Sequence, residues 1–170
     1  MPRQLLRDRQ LVEDDWRYAD ELGEGGGAQA PRAVILGFDQ WHRERDSWVA
    51  RGEHSGAPRL GVLLLPEHRV ERLAPDLQRL SLVACSFPGP AEGRGYTQGR
   101  QLRERYDFQG ELRATGYVRT DQLFFLARCG FNSFELADGD MAAAGAAFST
   151  FTAAYQPAND RGLALKLEHP

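Results

Sequence analysis

Short apolar runs alternate along the chain with stretches in which apolar residues recur at helical spacing. The apolar runs have the length of β-strands and fall at 33–38, 60–65, 82–87, 111–116 and 133–136. The segments that follow them predict helices at 40–51, 70–80, 96–106, 120–129 and 141–155. Continuous apolar strands that alternate with amphipathic helices are typical of a parallel sheet covered by helices. The pattern therefore predicts an α/β fold of about five βα units with a mainly parallel sheet.

The architecture of this sheet is left open by the sequence. Five units are too few for an eight-unit barrel, so an open doubly wound sheet and a half-barrel-like sheet are the alternatives. The fourth predicted strand has one polar face, which carries Glu111, Arg113 and Thr115. A polar strand face must find partners or remain exposed to water. Both a half barrel and the edge of an open sheet would tolerate such a strand.

The segments outside the alternating pattern predict the domain organisation. Residues 1–22 form a charged N-terminal extension, in which Arg7-Asp8-Arg9 separates two short apolar segments and indicates a hairpin. We expect this extension to contribute nothing to the core. Residues 23–31 contain three consecutive glycines and predict a flexible linker. The α/β domain is predicted at 32–156 and a polar C-terminal tail at 157–170.

Composition and charge then exclude several classes of function. The chain has 170 residues and a formal net charge of -3, which suits one acidic domain and disfavours binding to nucleic acids or anionic membranes. Lys166 is the only lysine among 21 basic residues. The sequence therefore argues against mechanisms that need a lysine amine or a phosphate-binding P-loop. The chain shows neither a signal peptide nor a long apolar run, so we expect a cytoplasmic protein.

The sequence carries no motif for a metal or a cofactor. Cys85 and Cys129 are far apart and lack CxxC spacing, so we expect reduced cysteines that pack in the core. Gly93, Gly95 and Gly99 miss the dinucleotide-binding fingerprint by one position. His42 and His68 follow different strands, and with Asp39 or Glu67 they would bind a metal or transfer protons. The alternative for both histidines is a surface or capping role, and we expect neither metal nor cofactor.

The loop after the third predicted strand is the best candidate for a binding site. It leaves a buried strand, is rich in glycine and opens a helix, so its N–H groups and Arg94 suit a small oxyanion. The alternative is that Arg94 pairs with Glu92 or Asp121 and simply holds the loop. Carboxyl ends of neighbouring strands meet at one face of such folds. The candidates for anion or partner binding on that face are Glu92, Gly93, Arg94, Gly95, Tyr96, Tyr117, Arg119 and Asp121.

The apolar residues of the fourth predicted helix spread around a whole turn, at 123–126. This distribution fits either a helix buried on both sides or a helix that offers one face to a partner. The sequence leaves both alternatives open.

Five segments give the chain a family resemblance: 93–98, 102–106, 110–116, 121–125 and 128–131. They resemble the GRG[FY]S, LRE, GELRA.GD, DQLF and RCGF series of the bacterial domain-of-unknown-function family numbered 934, and residues 12–16 resemble its start. The chain departs from that series at Tyr117, where an acid is usual, and at Glu92, where the family's acid belongs to a shorter segment. The resemblance implies a gene encoded beside sulfite reductase and an accessory role in sulfate assimilation. It implies no catalytic residues.

We therefore expect an accessory protein of assimilatory sulfite reduction that binds the reductase or its electron donor. Two cysteines cannot hold an iron–sulfur cluster that normally needs four, so the chain is not itself the reductase. The alternative is an enzyme that anchors a small oxyanion on Arg94 and uses Glu92 or Asp121 as acid or base. A purely structural subunit is the third hypothesis.

Overall fold

Strands and helices alternate through most of the chain. The computed structural model describes residues 4–22, 31–52, 56–137 and 143–146. The strands are β1 Gln4–Arg7, β2 Gln10–Glu13, β3 Arg17–Tyr18, β4 Ala33–Gly37, β5 Arg59–Leu64, β6 Leu82–Phe87, β7 Glu111–Gly116 and β8 Ser133–Phe134. The α-helices are α1 Phe38–Gly52, α2 Val70–Leu73, α3 Arg94–Glu104 and α4 Leu123–Arg128. Short 3-10 helices lie at Ala19–Leu22, Ala74–Arg79 and Thr120–Gln122.

One mainly parallel sheet contains all eight of these strands. Its order is β2-β1-β8-β7-β6-β5-β4-β3. Neighbours from β3 to β8 are parallel, whereas β1 pairs antiparallel with both β8 and β2. The strands predicted from 33 to 136 therefore lie side by side, with helices in the connections between them. This confirms the α/β class and the parallel pairing.

The strand order excludes the doubly wound alternative. A doubly wound sheet reverses its direction of growth at a switch point, which places helices on both faces. From β3 to β8, each strand is instead added beside the previous one in chain order. Right-handed crossovers that all advance in one direction put every helix on the same face. The helices therefore cover one face, and the sheet is of the half-barrel kind.

The connection between β2 and β3 shows that the sheet is strongly curled. These strands are the two edges of the sheet, and only residues 14–16 separate them along the chain. Three intervening residues reach across at most about 15 Å. Seven interstrand spacings would hold the edges of a flat eight-stranded sheet roughly 34 Å apart. The edges must therefore approach each other, with residues 14–16 running between them.

Curling gives the sheet an outer face and an inner face with different contents. The outer face and the helices share the larger apolar core, to which Trp41, Leu73, Leu102 and Leu126 contribute from α1 to α4. The inner face holds a smaller apolar cluster of Trp16, Ala33, Ile35, Leu82 and Ala84. The interior of the half barrel is thus packed and not an empty channel.

The N-terminal extension is part of this core, so the prediction that it contributes nothing is wrong. Leu5, Leu6 and Trp16 are at most 1% exposed. Trp16 packs over Gly61, where an added Cβ would lie 3.1 Å from Cζ3 of the indole. The extension looks weakly patterned because its strands have only two to four residues. Apolar periodicity cannot be recognised over so short a length.

The helices differ from the predicted ones mainly in length. Only the first turn of the helix predicted at 70–80 is α-helical, because Pro75 cannot donate a hydrogen bond and the chain continues as a 3-10 helix. Of the helix predicted at 141–155, residues 143–146 are helical, and the rest lies outside the described residues, as do the predicted linker and tail. Within the described ranges, no helix has the length and apolarity needed to cross a bilayer.

Both cysteines are buried and unpaired by any disulfide, which confirms the packing prediction. Cys85 lies within β6 and Cys129 follows α4. Burial raises the pKa of both thiols above the ordinary value. Neither thiol is therefore suited to act as a nucleophile at neutral pH.

Candidate functional site

The carboxyl ends of β6 and β7 place the two predicted loops side by side. Phe87 and Gly116 are paired at the ends of these strands, and the N–H of Tyr117 donates to the carbonyl oxygen of Phe87. Gly116 has a φ of +92°, and an added Cβ would lie 2.6 Å from that same oxygen. A residue without a side chain is needed for this close approach. Gly116 thereby sets the direction of the loop that carries Tyr117, Arg119 and Asp121.

Arg94 is paired with Glu92 at the start of α3. The carboxylate of Glu92 accepts hydrogen bonds from the backbone N–H of Arg94 at 3.0 Å, from Nε at 2.9 Å and from Nη2 at 2.8 Å. Glu92 therefore accepts from two of the five guanidinium N–H groups of Arg94 and from one N–H of the first helical turn. This is the loop-holding alternative predicted from the sequence, and a bound oxyanion would meet an arginine whose charge is already paired with Glu92.

The Glu92–Arg94 pair leads to a prediction about titration. Hydrogen bonds from Arg94 lower the pKa of Glu92 from 4.5 to about 2. We expect Arg94→Ala to return this pKa towards 4.5, because the carboxylate loses its main stabilising partner. An NMR titration of the Glu92 side-chain carbon would measure the change. Arg100→Ala, which removes an exposed arginine further along α3, should leave the pKa of Glu92 unchanged; an equal shift in both variants would contradict the assignment.

An aromatic cluster lies beside this pair. Tyr96 contacts Phe87 and Phe125, with 5.0 Å between ring centroids in each case, and Phe87 also contacts Phe131 at 5.9 Å. The cluster is close to the helix because α3 presents glycine to it. A Cβ on Gly95 would lie 2.5 Å from the Phe87 ring. Larger residues would push α3 and the Glu92 loop away from the sheet.

Helix α4 offers one apolar residue to the surface, so the helix at 123–126 is not buried on both sides. Leu123 and Leu126 are buried, whereas Phe125 is 55% exposed and is held at one edge by Tyr96. Aromatic side chains are enriched at protein interfaces, so Tyr96 and Phe125 are candidates for contact with a partner. The helix is therefore buried on one side and presents the other.

The second loop carries its own pair of charges. Arg119 donates from Nε to Asp121 at 3.3 Å, and both side chains are more than half exposed. Hydrogen bonds to Tyr117 and Asp121 raise the pKa of Arg119. Partial burial is the main cause that raises the pKa of Tyr96, with a smaller contribution from Asp121. The structure thus groups Tyr96 with Phe125, Arg119 with Asp121, and Glu92 with Arg94.

The predicted histidine pair is built around an aromatic ring. His42 and His68 both contact Phe38, with centroid distances of 4.4 and 4.3 Å. His68 accepts the Leu65 N–H through Nδ1 and has Nε2 3.9 Å from Asp39. Burial lowers the pKa of His42 below the usual value. Among the described residues, no three histidines, cysteines or acids are grouped so that they could hold a metal ion.

A second polar cluster lies inside the curled sheet and consists of Arg113, which is fully buried, with Asp14, Glu111 and Glu135; we name it the inner cluster. All five guanidinium N–H groups have acceptors. Nη1 donates to Asp14 and Glu135, Nη2 to Asp14 and Glu111, and Nε to Glu111, at 2.8–3.1 Å. The bidentate contact with Asp14 fixes the segment that connects the two sheet edges. Arg113 therefore has no donor left for an external anion.

The upper end of this cluster reaches the carboxyl ends of the strands. Tyr18 donates to Oε1 of Glu135 at 2.8 Å, and Thr115 donates to Oε2 at 2.8 Å. Burial is the main cause that raises the pKa of Tyr18 far above its usual value, so the phenol stays protonated. The side chain of Glu135 is 18% exposed. We name Tyr18, Thr115 and Glu135 the mouth cluster.

The mouth cluster was not among the candidate sites predicted from the sequence. One signal was visible, since the alternation of Glu111, Arg113 and Thr115 marks a polar strand face that needs partners. The partners Asp14 and Tyr18 are about a hundred residues away along the chain, and no local pattern connects them with β7. Only the curling of the sheet brings them together.

The sequence matches a known protein family. Residues 61–165 match the family described as "Bacterial protein of unknown function (DUF934)". The chain belongs to the DUF934 family. No curated protein matches the sequence.

Two arginines of the DUF934 motif segments have structural roles in this chain. Arg103 is buried and donates to the carbonyl oxygens of Gly130, at 2.9 Å, and Gly110, at 3.0 Å. Gly130 has a φ of +101°, and an added Cβ would lie 2.4 Å from Arg103. Arg113 holds the inner cluster described above. These motif residues of the DUF934 chain therefore fix the scaffold, whereas Tyr96 and Phe125 reach its surface.

Proposed function

We propose that this DUF934 protein is an accessory protein of assimilatory sulfite reduction and acts in the cytoplasm by binding the reductase or its electron donor. The binding site in this proposal is the surface formed by Arg94, Tyr96, Tyr117, Arg119 and Phe125, which we name the aromatic–arginine surface. The pathway comes from the family resemblance. The mode of action is argued from the side chains of this surface.

The observation that carries the binding proposal is the exposure of Phe125. More than half of its surface is in contact with solvent, although Tyr96 holds the ring in place. A fixed ring loses little conformational entropy when a partner covers it. Aromatic and arginine side chains dominate the energetic centres of protein interfaces. Arg94 lies at the start of α3, and Arg119 lies in the loop after β7.

The pairing of Arg94 favours binding over oxyanion chemistry at this surface. Glu92 already accepts from two of the five guanidinium N–H groups and pairs with the charge of Arg94. A sulfate or sulfite ion would be repelled by a carboxylate of the same loop, which reduces its net gain in free energy. The small-oxyanion enzyme is therefore the weaker proposal, and calorimetry with sulfite tests it directly.

Phe125 provides the central experiment. A host in which the gene is deleted should grow slowly on sulfate and normally on cysteine. Complementation with the unchanged gene should restore growth on sulfate, whereas Phe125→Asp should restore little, because it places a charge at the centre of the surface. Purified Phe125→Asp should keep its melting temperature within a few degrees, since the side chain contributes little to the core.

Leu11→Asp is the matched control. Leu11 is 47% exposed and lies on β2, outside the aromatic–arginine surface. Its variant should complement growth fully. Normal growth of the deletion strain on sulfate would contradict the pathway, whereas full complementation by Phe125→Asp would contradict the surface.

A further inference from the structure

The mouth cluster has the properties of a small-ligand site separate from the aromatic–arginine surface. It lies on the inner face of the sheet, which the alternation along β7 and β8 assigns to Thr115 and Glu135. The same face of β4 ends in Gly37, where an added Cβ would meet nothing within 4 Å. The side chain of Glu135 is 18% exposed, so the mouth is accessible from solvent.

The hydrogen bonds that Glu135 already makes determine which ligand groups can bind at this site. A carboxylate offers about four acceptor positions. Among the described residues, Tyr18 and Arg113 donate to Oε1, and Thr115 donates to Oε2. One position on Oε2 is therefore left, beside Thr115 Oγ1, which has one lone pair towards the Tyr18 hydroxyl at 3.4 Å and one unused. The hydrogen of the Thr115 hydroxyl is already donated to Glu135. Oε2 of Glu135 and Oγ1 of Thr115 can therefore only accept hydrogen bonds from a ligand.

The charge of the inner cluster agrees with these hydrogen bonds. Asp14, Glu111 and Glu135 carry three negative charges, whereas Arg113 and Arg7, which is 3.4 Å from Glu111, supply two positive charges. One negative charge is left over. Asp14 has two hydrogen bonds from Arg113 and Glu111 is contacted by both arginines, but Glu135 has one hydrogen bond from Arg113. The uncompensated charge is therefore nearest the mouth.

A buried hydroxyl without a partner lies directly below Glu135. Ser133 is two residues earlier on the same face of β8, is 0% exposed, and its Oγ has no hydrogen-bond partner among the described residues. Its register neighbour on β7 is Arg113. Buried hydroxyls are nearly always hydrogen-bonded, so an unpaired one marks a polar position that a water or a ligand atom can satisfy. The partly exposed carboxylate, its unused acceptor and this hydroxyl lie on one face of the sheet.

We propose that the mouth cluster binds the ammonium group of a small primary amine, with Glu135 as the charged acceptor and Thr115 as the neutral one. An ammonium group carries three donors and one positive charge, which complements both the unused acceptors and the leftover charge. A carboxylate or oxyanion would meet lone pairs and a negative charge instead. The proposal is independent of the accessory function, because it uses none of the residues of the aromatic–arginine surface.

Ethylammonium chloride is the probe for this site. In amide NMR spectra of the full chain at pH 7, it should shift the signals of Ser133, Glu135 and Thr115 in a saturable way, with a Kd on the order of 1 mM for so small a ligand. Ethanol at the same concentration lacks the charge and sodium acetate has the opposite charge, so both should leave these signals in place. Absence of saturable shifts with ethylammonium, or equal shifts with acetate, would overturn the proposal.

Two substitutions separate the roles of the acceptors. Glu135→Gln keeps one oxygen acceptor but removes the charge, and it should weaken ethylammonium binding at least ten-fold. Thr115→Val removes the neutral acceptor and should weaken binding several-fold, which keeps the test valid if Glu135→Gln does not fold. Glu104→Gln, an exposed carboxylate on α3, should change nothing, and neither should Phe125→Asp. Unchanged binding in both Glu135→Gln and Thr115→Val would refute the site and leave the proposed function untouched.

Discussion

Arg113→Met should cost about 3–5 kcal/mol of the free energy of unfolding, the largest effect expected for any single substitution in this chain. Methionine replaces the aliphatic stem of arginine but leaves Asp14, Glu111 and Glu135 without their shared cation. Arg113 and Asp14 are fully buried, and the other two carboxylates are at least four-fifths buried. Uncompensated charges in such surroundings are strongly unfavourable. Chemical denaturation of purified variants measures the loss.

The matched control for this substitution is Arg105→Met. Arg105 also pairs with a carboxylate, that of Glu71 at 3.1 Å, but its side chain is 62% exposed. Exposed ion pairs contribute at most about 1 kcal/mol, so the control should be nearly neutral. Asp14→Asn combined with Arg113→Met should cost less than the sum of the two single losses, because both remove the same contact. An Arg113→Met protein as stable as the Arg105→Met protein would show that the inner cluster does not hold the half barrel together.

Gly116→Ala should lower the free energy of unfolding by about 2–3 kcal/mol, the second largest effect. The methyl group would lie 2.6 Å from the carbonyl oxygen of Phe87, a backbone atom that cannot move without disrupting the β6–β7 pairing. The positive φ adds strain for any residue other than glycine. Since Gly116 directs the next loop, the variant should also displace Tyr117 and Arg119 and weaken partner binding.

Gly89→Ala is the control for the glycine prediction. Gly89 lies in the neighbouring loop, its φ is not positive, and an added Cβ would meet nothing within 4 Å. It should change stability by less than about 0.5 kcal/mol. Thermal unfolding of both variants gives the comparison. If the Gly116→Ala and Gly89→Ala proteins had the same melting temperature, the turn at Gly116 would accept a side chain.

The strands and helices of the α/β domain were predictable because their signals are local. The apolar runs at β4 to β6 are five or six residues long, enough for continuous apolar character to stand out. The burial of the three N-terminal strands was harder to recognise, since each strand is short and the side chains of β2 are mostly exposed. Their burial depends on β8 and β4, which supply the neighbours.

The candidate site, like the fold, could be predicted only in part. The sheet topology explains why Glu92, Tyr96 and Tyr117 could be assigned to one end of the fold, since loops at the carboxyl ends of parallel strands converge. The Glu92–Arg94 pair was foreseeable because the two residues are close along the chain. The exposure of Phe125 was not, because a run of four apolar residues does not reveal which one the core leaves out.

The α/β class, the parallel pairing of the central strands and the packing role of both cysteines could be predicted from the sequence. Hydrophobic periodicity and residue spacing are properties of short segments, so they are visible without the fold. Tertiary structure alone decided between a doubly wound sheet and a half barrel, since that choice depends on the order in which strands become neighbours. It also decided that Asp14 and Tyr18 meet Arg113, Thr115 and Glu135. These contacts form between distant segments when the sheet curls. The pattern of residues along the chain does not reveal how strongly the sheet curls.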